Sequence, residues 1–86
     1  MTAPATLYTK ATCPFCINAK ILLQNKGVAF TDIDYTQISD DEKAELSAKT
    51  NGYRTVPQIF IGEQFIGGFD QLNKLNQSGK LDQLLG

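Results

Sequence analysis

The chain has 86 residues, 42% of them hydrophobic and 20% charged, a globular composition at a length that supports one modest core. Its formal net charge of −1 gives no electrostatic pull toward nucleic acid or an anionic membrane. With two cysteines and no histidine, one chain cannot close a four-ligand zinc site or build a cysteine–histidine hydrolase. Residues 1–86 are therefore expected to form a single domain. No apolar run reaches membrane-spanning length, and Met1-Thr2-Ala3-Pro4 lacks the basic-then-apolar order of a signal peptide. A reducing, cytoplasmic setting is the expectation.

Ala5-Thr6-Leu7-Tyr8-Thr9 is a compact apolar run with β-propensity, and it predicts a short strand. Both cysteines follow, in Cys13-Pro14-Phe15-Cys16. Beyond them Ala19, Leu22, Leu23 and Lys26 recur at helical spacing, and Gly27 supplies a stop. The thiol pair thus sits where a strand turns into a helix. An unperturbed cysteine with pKa about 8.5 is only about 3% thiolate at pH 7. A helix N-terminus offers unpaired N–H groups and the positive end of the macrodipole, both favouring an anion. Cys13 lies at that terminus, Pro14 suits the first helical position, and Lys10 stands three residues upstream. A downward shift of about two pKa units would ionise most of the Cys13 sulfur and is worth roughly 3 kcal/mol. Cys16, one turn in, is expected to be less exposed and higher in pKa. These residues assign Cys13 as nucleophile and Cys16 as resolving thiol. A static structural disulfide is disfavoured, because so short a loop gains little chain entropy.

After Gly27, residues 28–34 read as a second strand, and the β-α-β order predicts a parallel pair with a right-handed crossover. Ser39-Asp40-Asp41-Glu42 has the spacing of a capping box. The helix it opens runs to about Thr50, with Ala44 and Ala48 on one side and a Glu45–Lys49 pair, and Asn51-Gly52 ends it. Residues 57–61 and 64–66 read as two strands of a hairpin turned by Gly62-Glu63. Gly67-Gly68 breaks the sheet, Asp70 is placed as the cap of a helix carrying Leu72 and Leu75, and Ser78-Gly79 stops it. Leu81, Leu84 and Leu85 share one face of a last turn or two. Leu22, Leu23, Phe30, Ile59 and Ile61 are expected in the core. Gln58 reads as an exposed strand residue with at most a polar contact, and Tyr8, Tyr35 and Tyr53 receive no functional role. The order β-α-β-α-β-β-α predicts an α/β layer structure with about four strands. No heptad or large apolar stripe is left over, so a monomer is expected.

Cys13-Pro14-Phe15-Cys16, Thr55-Val56-Pro57 and Gly67-Gly68-Phe69-Asp70 together resemble the glutaredoxins, and the likeness runs from about Thr6 to Leu85. The resemblance implies a thioredoxin-like fold, a four-stranded mixed sheet flanked by helices, and glutathione-dependent thiol–disulfide exchange with no metal cofactor. It implies a cis Val56–Pro57 bond, which turns the backbone beside the sulfurs and leaves Val56 to pair with an extended thiol peptide. Gly68 would allow close approach, and the N–H groups of Phe69 and Asp70 would hold the γ-glutamyl carboxylate. Asp70 would meet the ammonium group of glutathione, and Lys10 and Arg54 its glycine carboxylate. Phe15, Thr55, Val56 and Pro57 would complete the glutathione site. Phe15 stands where the family's dithiol motif more often has tyrosine, so any hydrogen bond of that hydroxyl is missing. Disulfide-containing or glutathionylated proteins are the implied partners. Two rival readings are weaker. Reduction by a thioredoxin reductase would leave Lys10, Arg54 and Asp70 without a task. A cluster-bridged dimer suits active sites that lack Pro14.

Overall fold

The computed structural model describes residues 4–85. Its elements in chain order are β1 (Ala5–Thr9), α1 (Pro14–Asn25), β2 (Phe30–Asp34), a 3-10 turn (Tyr35–Gln37), α2 (Asp40–Thr50), β3 (Gln58–Ile61), β4 (Gln64–Gly67), α3 (Phe69–Ser78) and α4 (Lys80–Leu85). They form one four-stranded sheet in the order β2-β1-β3-β4. β1 runs parallel to β2 and antiparallel to β3, and β3 pairs antiparallel with β4. The predicted order and the mixed sheet are both present.

The strand alternation divides the interior into two layers. Ala5 and Leu7 of β1 face Ile61 and Ile59 of β3, and join Ala19, Leu23, Leu72, Leu81 and Leu85 from three helices in one core. Leu22 and Phe30 pack against that core only in part. On the other face Tyr8, Phe60, Phe65 and Tyr53 meet edge-on or tilted, with ring centroids 5.2–6.0 Å apart. There α2 contributes Leu46 and Thr50 as its buried residues.

Several local expectations shift, each for a visible reason. The second strand begins at Phe30 rather than Val28, because the Val28 N–H is turned back onto the Leu23 carbonyl (3.1 Å) as α1 closes. Gly27, at φ +70°, makes that closure possible. Ser39 does cap α2 through the Glu42 N–H at 3.1 Å. Ala44 and Ala48, however, lie on its exposed side. Glu45 and Lys49 form no ion pair among the described residues. The cap of α3 lies two residues earlier than expected: Gly68, not Asp70, is its N-cap, and Asp70 lies in the first turn. Gln58 is buried, 1% exposed, and its Nε2 donates to the Tyr53 carbonyl at 3.1 Å. Ile17 and Ile21, one turn apart on α1, are about half exposed at 50% and 47%, so a short apolar strip does remain on the surface.

Candidate active site

The sheet register explains why three distant motifs meet. β1 ends at Thr9 beside the start of β3, since Tyr8 pairs with Gln58. The loop that follows β1 and the segment that precedes β3 therefore share one end of the sheet. Gly67, the last residue of β4, pairs with Ile59, which brings the start of α3 to the same end.

Cys13 is the N-cap of α1, with extended backbone at φ −103° and ψ 109° and Pro14 immediately inside the helix. Its Sγ accepts the Cys16 N–H at 3.2 Å, so the sulfur fills the place of the usual capping oxygen. It is partly exposed, whereas Cys16 is fully buried, and both thiols are free. Burial pushes the Cys16 thiol up to about 11, and the hydrogen bond and negative charge of Cys13 add to that rise. Cys16 is protonated at neutral pH, as its place in the chain suggested.

The Val56–Pro57 bond is cis, as expected. The Val56 carbonyl oxygen lies 3.6 Å from Cys13 Sγ, within reach of the thiol, so that carbonyl faces the sulfur rather than standing unengaged. Phe15, Thr55, Val56, Pro57, Gly68, Phe69 and Asp70 line one open cleft of about 350 Å³. Phe15 and Phe69 stack across it with ring centroids 6.3 Å apart, and Phe15 is 57% exposed. Asp70 is exposed at the first turn of α3, where anions are favoured.

Lys10 and Arg54 are not in this cleft. Arg54 lines a neighbouring cavity of about 260 Å³ with Tyr35 and Gln58, and Lys10 Nζ stands 6.0 Å from the Tyr35 ring centroid. Neither is in an ion pair among the described residues. Two cleft residues escaped the sequence reading. Gln71 accepts the Gly68 N–H through Oε1 at 3.0 Å; its position three residues after the cap was a usable signal. Tyr53 closes over Gly68, so that a Cβ there would fall 2.5 Å from its hydroxyl. Nothing local in the sequence marks Tyr53.

A partly exposed sulfur capping a helix, a buried partner thiol one turn on, and a cis-proline segment facing them define a dithiol oxidoreductase of the thioredoxin-like fold. The glutaredoxin family model matches residues 5–66. The chain is 51% identical over 85 residues to a glutaredoxin of Pseudomonas aeruginosa, covering 95% of each. It is 47% identical over 83 residues to Glutaredoxin 3 of Escherichia coli, covering 96% of this chain and 98% of that one. The buckwheat glutaredoxin–glutathione complex superposes with a TM-score of 0.84 at 35% identity, over 96% of this chain and 76% of that chain. The chain belongs to the glutaredoxin family, whose members are thiol–disulfide oxidoreductases.

Proposed function

We propose that this chain reduces glutathione mixed disulfides and protein disulfides, with Cys13 as nucleophile, Cys16 as resolving thiol and glutathione as co-substrate. The observation that carries this reading is the Cys13 sulfur, held as the helix cap and 3.6 Å from the carbonyl oxygen of Val56, which lines the cleft. On a glutathionylated protein, the Cys13 thiolate attacks the glutathione sulfur and the protein thiolate leaves. A second glutathione then attacks the adduct, giving oxidised glutathione and the free dithiol. On a protein disulfide, Cys13 forms the mixed disulfide and Cys16 displaces the partner, leaving an internal disulfide that two glutathiones reduce.

Within the cleft, the first-turn N–H groups of α3 would take the γ-glutamyl carboxylate and Asp70 its ammonium group. Thr55, Val56 and Pro57 would run alongside the peptide, beside the stacked Phe15 and Phe69 rings. Lys10 and Arg54 would take the glycine carboxylate from the adjoining cavity. The reading is of a monomer working in a reducing, cytoplasmic compartment, where a dithiol stays reduced between turnovers. Among the described residues no helix is long and apolar enough to cross a membrane.

The test is NADPH consumption with a small glutathione mixed disulfide, glutathione and glutathione reductase. Wild type and Cys16→Ser should turn over and Cys13→Ser should be silent; with a protein disulfide, Cys16→Ser should lose most of its activity. Full activity in Cys13→Ser would refute the assignment.

A further inference from the structure

Cys16 must lose its proton in a place that water does not reach, since the residue is 0% exposed. Two of the influences that hold the proton there come from Cys13, its hydrogen bond and its charge. Both weaken once Cys13 is tied up in a mixed disulfide, and burial is left as the opposing effect. A positive charge near Cys16 would offset it. Lys20 is four residues further along α1, the spacing that sets two side chains on one face of a helix.

A lysine in that position could swing into solvent, but this one is pinned. Lys20 Nζ is ion-paired with Asp32 of β2 at 2.5 Å, and the other oxygen of Asp32 accepts the hydroxyl of Thr9, buried at the end of β1. The two charged side chains are 29% and 35% exposed, so part of their field runs through protein rather than water. The second paired lysine at this helix, Lys26, has the look of an ordinary surface contact, its partner Asp82 being 65% exposed. Around α1, β1 contributes Leu7, β3 Ile59 and α3 Leu72 to the core, none of them titratable. Among the described residues, the charged or titratable side chains that act on Cys16 are Cys13 and Lys20, and Asp32 is paired with Lys20.

We propose that Lys20, anchored by Asp32 and Thr9, is a positioning residue for the resolving step: its ammonium group favours the Cys16 thiolate as it attacks a mixed disulfide on Cys13. In that step the Cys16 Sγ–Cys13 Sγ bond forms while the bond from Cys13 Sγ to the departing sulfur breaks. The electron pair leaves with the partner thiolate, and the Cys16 proton passes to solvent. The inference rests on Cys16 being the resolving thiol but not on the glutathione cleft.

The experiment uses the reduced full chain and a sub-equivalent amount of the symmetric disulfide of thionitrobenzoate. Cys13 releases one thionitrobenzoate in a bimolecular phase, and Cys16 then expels the second in a unimolecular phase whose rate is followed against pH. In Lys20→Met and Lys20→Gln the midpoint of the second phase should rise by about one pH unit. At neutral pH that phase should slow about threefold, because a tenfold loss of thiolate is partly offset by the greater nucleophilicity of a more basic thiol. Lys20→Arg should restore the midpoint. Mere loosening of the helix would admit water to Cys16 and lower the midpoint, so an unchanged or lowered value in both neutral variants overturns the proposal. A wild type without a second phase would remove Cys16 as the resolving thiol and this inference with it. A normal second phase in a protein inactive toward glutathione would fail only the glutathione reading.

Discussion

One helical turn gives two thiols different surroundings, because Cys13 is partly exposed at the cap of α1 and Cys16 faces the interior. Folded Cys16 keeps its proton up to about 11, well above the ordinary thiol range of about 8.5–9, chiefly through burial. Its contribution to stability is therefore full below pH 9 and is lost as pH rises through about 11. A two-unit difference bounds that loss at roughly 3 kcal/mol. Urea unfolding of reduced wild type and Cys16→Ala at about pH 8 and about pH 10.5 should show a steeper alkaline loss in wild type. Equal slopes would contradict the burial argument. At Gly68, a Cβ would stand 2.5 Å from the Tyr53 hydroxyl. Gly68→Ala should raise the KM for glutathione by about tenfold, or roughly 1.4 kcal/mol of lost binding, and Tyr53→Phe in the same chain should recover part of it. The cysteines, Pro57 and the double glycine were legible because each is a residue type with few alternative uses. Tyr53 was not, since its role comes from where β4 ends and α3 begins. Gln58 misled for a related reason: a polar strand residue reads as exposed until the backbone carbonyl that it serves is seen.

Among the elements, α2 shows best what periodicity can and cannot assign. Its cap was readable in Ser39, and Ser39→Ala should cost about 1 kcal/mol in chemical denaturation. The buried side was not readable, because in so polar a helix the small Ala44 and Ala48 offer no stronger pattern than the solitary Leu46. The structure buries Leu46 and leaves both alanines exposed. Leu46→Ala should cost about 2–5 kcal/mol, whereas Ala48→Ser should stay within about 0.5 kcal/mol. Nearly equal effects would mean that α2 rotates or detaches in solution. The start of β2 was missed by two residues because the Val28 N–H belongs to the helix before it.

For the whole molecule, two strand pairings do the work of assembly: Tyr8 with Gln58 and Ile59 with Gly67 carry three motifs to one sheet end. The sequence pattern fixes which residues alternate, but it does not state which strands become neighbours. That placement came from family resemblance rather than from propensity. The monomer expectation is also a whole-molecule claim, and the exposed Ile17 and Ile21 are its weak point. Sedimentation at tens of micromolar should give a monomer for both wild type and Ile17→Lys. A dimer that Ile17→Lys dissolves would make that strip an interface.

The Cys13 sulfur also has a second duty: it is the atom that receives the Cys16 N–H in the first turn of α1. Under the proposed mechanism each mixed disulfide would replace that free sulfur with a more crowded one, so turnover would periodically weaken the helix start. Amide hydrogen exchange at Cys16 should then follow the redox cycle, slow while the Cys13 sulfur is free to accept and faster in the adduct. The backbone of this turn would serve as a built-in reporter of the state of Cys13, visible without any added probe.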